Sequence, residues 1–310
     1  MGVVDVENLA RKFGEVTALD NLSFSVQEGE IFGLVGPDGS GKTTCLRILS
    51  GLMRPSGGRA IIMGMDVTKD PESVKSMIGY MAQPAGLYDD LTVMENIKFY
   101  ADLYEVPPEN YTQRMERLLQ FSGLAPFAGR LFRNLSGGMK QKLGLMCALI
   151  HTPRILFLDE PTNGVDPVSR RDFWKILYEL RRDRVTIVVA STYLDEADRC
   201  HRIAIFDRGK ARFVMEPLAM RKLIKKQLYN LSVSDPRKAI KYLQGQKAVL
   251  NPSLFGAGIH FSLARELDLK PVLRGMMLAG IRPLKLERIQ PSLEDVYLSL
   301  LSAKGAAKGI

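Results

Sequence analysis

The sequence predicts an α/β chain: a parallel sheet with helices on its faces, interrupted by a helical block and followed by a smaller α+β module. Three observations lead there. IFGLVG at 31–36 is a nearly all-apolar run that ends in a glycine loop and a helix, the pattern of a parallel strand buried on both faces. Strand-like and helix-like segments alternate from RILFLDE at 154–160 to RIAIFD at 202–207, and such alternation builds a parallel sheet. Residues 229–289 then run strand, helix, strand, strand, helix, strand.

VVDVENL at 3–9 and LSFSVQ at 22–27 alternate apolar and polar residues, which predicts half-exposed strands. KTTCLRILSG reads as the helix after the glycine loop, and GRAIIMG and SMIGYMAQ as further strands. The helical block covers about 91–150. TVMENIKFYADLY and NYTQRMERLLQFSGL carry helical apolar spacing, with Met115, Leu118 and Leu119 at i, i+3 and i+4. Pro107-Pro108 separates these two helices, and a third starts after Ser136. VSRRDFWKILYELRRD is the long helix between strands RILFLDE and VTIVVAS, and YLDEADRC is a short helix before RIAIFD.

The expected division is an α/β domain over 1–213, a connecting helix over 214–228 (PLAMRKLIKKQL), a small domain over 229–304 and a disordered tail, GAAKGI, at 305–310. The βαββαβ order of the small domain is that of a ferredoxin-like module. A final helix, SLEDVYLSLLSAK, closes it.

Composition bounds the function less sharply. The net charge of +9 over 310 residues fits solubility first, and also anionic ligands, an anionic membrane surface or nucleic acid. No RNA-binding aromatic motif appears, and the one dense basic run is RKLIKK at 221–226. Cys45, Cys147 and Cys200 lack CxxC spacing, which predicts small apolar residues rather than a zinc or disulfide framework. No stretch approaches the ~20 consecutive apolar residues of a spanning helix. The N-terminus has no apolar signal core. The expectation is an intracellular chain that serves any membrane from its surface.

Gly36-Pro37-Asp38-Gly39-Ser40-Gly41-Lys42-Thr43 fits GxxxxGK(S/T) between a buried strand and a helix, the context that gives the motif its meaning. Its glycines let backbone N–H groups curl around phosphates, and the helix start adds partial positive charge. Lys42 should reach the β- and γ-phosphates of a nucleotide, and the Thr43 hydroxyl should ligate Mg²⁺, with Thr44 completing the nucleotide-binding run. In ILFLDE, Asp159 emerges from the C-terminal end of a buried strand, where ligands sit in such sheets. It is the expected Mg²⁺ partner, and Glu160 is the expected general base toward water.

At this point any P-loop ATPase or GTPase fits. Leu135-Ser136-Gly137-Gly138-Met139-Lys140-Gln141 narrows the choice. It resembles the LSGGQ signature of ATP-binding-cassette (ABC) proteins and precedes ILFLDE at that family's distance. Ser136 is a good N-cap, and Gly137 and Gly138 leave room for a phosphate at the helix end. The resemblance, over about residues 3–213, implies a dimer in which each signature contacts the γ-phosphate held by the partner. It implies that Gln83, in GYMAQPAGLYDDLTVMENI, joins the metal site to the helical block. It makes Phe13 the residue that stacks on adenine, unless Phe13 is a core aromatic. Pro161-Thr-Asn-Gly-Val-Asp166 resembles the loop that communicates across the dimer. AQPAGLYDDLTVMENI and the tail QPSLEDVYLSLL are similar to ATPases of ABC-2-type exporters, including multidrug efflux systems. That implies membrane permease subunits as partners, a position on the inner face of the membrane, and no nucleic acid.

Two positions depart from the family pattern. Asp38 stands where Asn is usual. At Ala190-Ser-Thr-Tyr-Leu-Asp-Glu196-Ala197 the pattern S-T-H-x-x-x-E-A places Thr192 where the switch histidine belongs. None of the three histidines, His151, His201 and His260, falls there, and His201 reads as structural. Threonine is short and carries no positive charge. The expectation is slow hydrolysis in the chain's own site and an intact signature serving an unlike partner, either a different subunit or the other half of a longer tandem protein, with a homodimer in isolation; the alternative is a mainly regulatory ATP-binding subunit. Soluble cassettes of DNA repair or translation carry zinc cysteines, coiled coils or paired cassettes with charged linkers, which this sequence lacks. For the small domain, dimer stabilisation and ligand sensing both stand open.

Overall fold

The computed structural model describes residues 2–302. The tail expected at 305–310 and the last residues of the final helix lie outside that range. The chain divides into two compact units that meet in sequence between Glu216 and Pro217.

In the first unit the elements are β1 (Val4–Phe13), β2 (Val16–Val26), β3 (Ile31–Val35), α1 (Lys42–Leu49), β4 (Gly57–Ile62), β5 (Met65–Asp66), α2 (Pro71–Met77) and β6 (Ile78–Met81). Then come α3 (Val93–Leu103), α4 (Pro108–Ser122), α5 (Gly137–Leu149), β7 (Ile155–Asp159), α6 (Pro167–Arg182), β8 (Thr186–Ser191), α7 (Leu194–Ala197), β9 (Arg202–Asp207) and β10 (Lys210–Met215). The central sheet has the order β10-β9-β3-β8-β7-β6, parallel throughout except for the β9/β10 pair. Strands β3, β7 and β8 are buried at every residue, which explains their unbroken apolar runs. A second, antiparallel sheet has the order β2-β1-β4-β5. Helix α1 touches strands of both sheets, and Leu46, Ile48 and Leu49 join Leu9, Leu22, Phe32, Phe157 and Phe206 in one core.

The helical block is α3, α4 and α5, with α3 and α4 both packed on α5. Thr92 and Glu95 cap α3 reciprocally, satisfying orphan N–H groups that would otherwise fray the first turn. Pro108 begins α4, and Gly123 ends it in the left-handed conformation.

The second unit holds α8 (Pro217–Arg221), β11 (Leu228–Val233), α9 (Pro236–Gln244), β12 (Val249–Phe255), β13 (Gly258–Leu263), α10 (Leu269–Leu278), β14 (Pro283–Ile289) and α11 (Leu293–Ser302). Its antiparallel sheet has the order β12-β13-β11-β14, the topology of the ferredoxin-like module. Tyr229, Leu231, Phe261, Leu243 and Met276 form a core of its own.

Three segments differ from the sequence reading. The connecting helix over 214–228 is absent: β10 runs through Met215, α8 is five residues long, and 222–227 are not helical. Glu216 then Pro217 breaks any helix entering from β10. SMIGYMAQ begins inside α2, whose Asp70 cap and Pro71 precede the region read as strand. The strands β1 and β2 extend to a hairpin in which Phe13 pairs with Val16; register shifts along the pair interrupt the alternation that would have revealed it.

Candidate functional site

The loop 36–41 leaves the end of β3 and enters α1. Gly41 has φ of 105°, a conformation that costs little only for glycine. A Cβ there would also stand 2.6 Å from the Ala18 carbonyl oxygen, so the loop lies against β2. That contact brings the Phe13/Val16 hairpin to the loop's side. Phe13 is 43% exposed, which rules out a core aromatic, and the Arg11 guanidinium stacks 4.6 Å from its ring centre. Pro37, Asp38 and Gly39 are exposed at the crest, while Gly36, Ser40 and Lys42 are buried. The Asp38 carboxylate therefore faces solvent rather than the loop's interior.

Lys42 is curled back onto its own loop. Its Nζ donates to the Gly36 carbonyl at 2.8 Å and the Pro37 carbonyl at 3.1 Å. It also lies 3.3 Å from Glu160 Oε1. The Thr43 hydroxyl donates to Asp159 Oδ1 at 2.9 Å. The parallel pairing β3-β8-β7 delivers these groups to one edge, since Val35 pairs with Ser191 and Ala190 with Asp159. Thus Lys42, Thr43, Asp159, Glu160 and Thr192, scattered over 150 residues of sequence, converge at the C-terminal ends of three strands.

Both carboxylates are nearly inaccessible, and burial raises the pKa of each. For Asp159 the Thr43 hydrogen bond and the nearby Arg47 and Lys42 charges oppose that rise. For Glu160 the Thr192 amide and Lys42 do so. Glu160 also has φ of +49°, a left-handed conformation that a long side chain adopts only when the fold imposes it. Its N–H donates to the Ala190 carbonyl at 3.0 Å, which locks the turn to β8.

Thr192 donates twice to Glu160 Oε2, from its N–H at 3.0 Å and its hydroxyl at 3.3 Å. One residue further, the Tyr193 ring lies under the Arg170 guanidinium at 4.2 Å and its hydroxyl donates to Asn163 at 3.3 Å. Glu196 anchors the same loop from beneath. It is buried and accepts from Thr162, Ser191 and Trp174. The segments 160–166 and 190–197 are therefore tied together by side-chain hydrogen bonds.

Gln83 is exposed, two residues beyond Met81, which pairs with Leu158. It leaves the sheet beside the Asp159 edge, at the entrance to the helical block. Ser136 caps α5 by accepting from the Met139 N–H at 3.4 Å. A Cβ on Gly137 would stand 3.6 Å from the Gly164 carbonyl, and one on Gly138 2.5 Å from Ser169 Cβ. The signature thus packs beside the 161–166 loop. Among the described residues no hydrogen bond or ion pair joins it to 36–44, so the structure does not bring Ser136, Gly137 and Gly138 to the phosphate loop of the same chain.

Sequence reasoning missed Tyr80, whose hydroxyl lies 3.5 Å from Asp159 Oδ2 and whose pKa is pushed up to about 12, first by burial and then by the Asp159 charge. The signal was its strand position: Tyr80 pairs with Phe157, two residues before Asp159. His201 is structural, as read: its Nδ1 accepts from the Ile31 N–H at 3.1 Å. The three cysteines are buried and free.

Residues 19–163 match the family model described as ABC transporter. Over 96% of its length the chain is 32% identical to the daunorubicin resistance ATP-binding protein DrrA2 of Streptomyces coeruleorubidus, covering 94% of that protein. The chain belongs to the ABC transporter ATP-binding proteins. It is also 36% identical, over 99% of its length, to the probable multidrug ABC transporter ATP-binding protein YbhF of Escherichia coli, but it spans about half of that relative, 53%. Among solved structures, the dimeric ATP-binding cassette MJ0796 bound to ADP and Pi superposes with a TM-score of 0.63 at 27% identity, covering 69% of this chain and 98% of that one. The first unit is thus an ABC ATPase cassette. Among the described residues, no helix is long and apolar enough to cross a membrane.

Proposed function

We propose that this chain is the ATP-hydrolysing subunit of an ABC-2-type exporter, working beside membrane permease subunits on the inner face of the membrane and paired with a second, unlike cassette. The observation that carries the reading is the convergence of Lys42, Thr43, Asp159 and Glu160 at one sheet edge. The names of relatives that confer drug resistance support the export direction.

In this reading Phe13 stacks on the adenine ring, and the N–H groups of 36–44 wrap the phosphates. Lys42 exchanges its two loop carbonyls and Glu160 for phosphate oxygens. Thr43 and Asp159 offer two hard oxygen donors 2.9 Å apart, and no cluster of three or more His, Cys, Asp or Glu surrounds them among the described residues. That sparse set suits Mg²⁺, which keeps several water and phosphate ligands. Bound there with Gln83 nearby, the ion would neutralise charge developing on the phosphates. Ser136 and Gly137, exposed at the start of α5 with Gly138 packed behind them, complete the partner's site. Only the closed dimer supplies those contacts, so ATP favours closure.

Glu160 is the base that takes a proton from the attacking water. Thr192 holds its Oε2 but adds no positive charge beside the transferring phosphoryl. The loss of such a group costs about 10²–10⁴-fold in rate, which makes this the slow site of an unequal pair. A mainly regulatory role is the same observation taken further. The test is ATP turnover by the purified chain against Thr192→His. Turnover rising at least about tenfold in the variant supports the slow site; rapid turnover by the parent chain, unimproved by histidine, refutes it.

A further inference from the structure

At the opposite end of the central sheet from the phosphate loop lies a cavity of about 600 Å³, within the usual range of small-molecule sites. It sits where the helical block meets the starts of β7 and β8. Leu118 and Phe121 of α4 line one wall and Leu180 of α6 another. Leu118 and Phe121 are only half-buried, so apolar surface is left facing the cavity. Four arginines surround it, Arg114, Arg117, Arg154 and Arg184, against two carboxylates, Asp183 and Glu28.

The arginines are not equally engaged. Arg117 pairs with Asp183 at 3.3 Å, and Arg114 donates to the Ile150 carbonyl at 3.5 Å. Arg154 and Arg184 are exposed, and neither forms an ion pair among the described residues. An apolar pocket rimmed by guanidinium groups is complementary to a molecule with an apolar body and an anionic head.

We infer that this cavity is a second binding site, distinct from the nucleotide site, for an amphipathic anion: an alkyl chain carrying a single carboxylate or phosphate. The chain lies against Leu118, Phe121 and Leu180, and the head meets Arg154 and Arg184. An occupant ties α4 of the helical block to the starts of β7 and β8. The inference is independent of the exporter reading, because binding is measured without nucleotide.

The experiment is calorimetric titration of the full chain with decanoate, decyl phosphate and decyltrimethylammonium below their micellar concentrations. Saturable one-to-one binding of an anion, at least about tenfold tighter than the cation of equal chain length, is expected. The tighter of the two anions identifies the head group. Arg154→Glu with Arg184→Glu should weaken the anion about tenfold or more while leaving ATP binding unchanged. Leu118→Trp, which fills the cavity without altering charge, should weaken it as well. No saturable binding, equal binding of the cation, or affinity unmoved by both sets of substitutions overturns the inference.

Discussion

Asp159 shows how one buried carboxylate ties stability to chemistry. Burial raises its pKa above the unfolded value, so the folded protein holds that proton more readily than the unfolded chain does. The group's contribution to stability is complete below the ordinary carboxylate pKa and is lost as pH rises through the raised value. Asp159→Asn keeps an acceptor for the Thr43 hydroxyl and carries no charge at any pH. Its unfolding midpoint should therefore lie above the parent's at neutral pH, and the gap should close below about pH 4. Urea titrations of both proteins at several pH values check this; a gap that widens on acidification contradicts it. In the proposed reading the same variant should lose Mg²⁺-dependent turnover, gaining stability at the expense of the charge that would hold the metal. The pKa of neighbouring Glu160 is raised by burial in the same direction, against the Thr192 amide and the Lys42 charge.

At the level of elements, Gly138 is held by packing rather than by its own backbone. It lies in the first turn of α5, and a Cβ would approach Ser169 Cβ to 2.5 Å and Oγ to 2.6 Å, so α5 and α6 cannot keep their spacing with any larger residue. Gly138→Ala should destabilise the cassette by about 1–3 kcal/mol in urea unfolding. Removing the opposing side chain in Gly138→Ala/Ser169→Gly should return part of that loss, less the cost of about 1 kcal/mol for glycine in a helix. No recovery in the double variant would show that the contact is not the cause. ATP binding at 36–43 should persist in both, since α5 donates nothing to that loop. The Ser-Gly-Gly run was legible in the sequence, but Ser169 as its neighbour was not, because the contact joins separate helices. The same distinction holds elsewhere. Buried strands β3, β7 and β8 announced themselves by composition, and with them the positions of Lys42, Asp159 and Glu160. Tyr80 and the Glu196 cluster depend on which strands and loops are adjacent, and the irregular β1/β2 hairpin hides its own register. The span 214–228 misled because the helix that starts at Pro217 stops at Arg221, and nothing in the composition of 222–227 marks that end.

At the scale of the whole molecule, the two units each possess a core: Phe32, Leu46 and Phe157 belong to one, Tyr229, Leu231 and Phe261 to the other. A unit with its own core can unfold on its own, and a ligand stabilises only the unit that binds it. ATP binds groups contributed by residues 13–192 in the proposed reading, all of them in the first unit. Calorimetry of the full chain should therefore show two transitions. ATP at a hundred times its dissociation constant contributes about 2.7 kcal/mol to the first. For a unit of this size that corresponds to a rise of about 5–10 °C in its midpoint, with the second transition unmoved. Substituting Lys42→Ala should abolish the shift without altering the second transition. A single transition that shifts as a whole would mean that the ferredoxin-like module and the cassette unfold cooperatively, and that nucleotide binding is felt across the entire chain. In the proposed reading, Thr192→His should leave the ATP-induced shift nearly unchanged while raising turnover, because Lys42 and the loop amides carry the binding whereas a histidine beside Glu160 adds positive charge at the transferring phosphoryl.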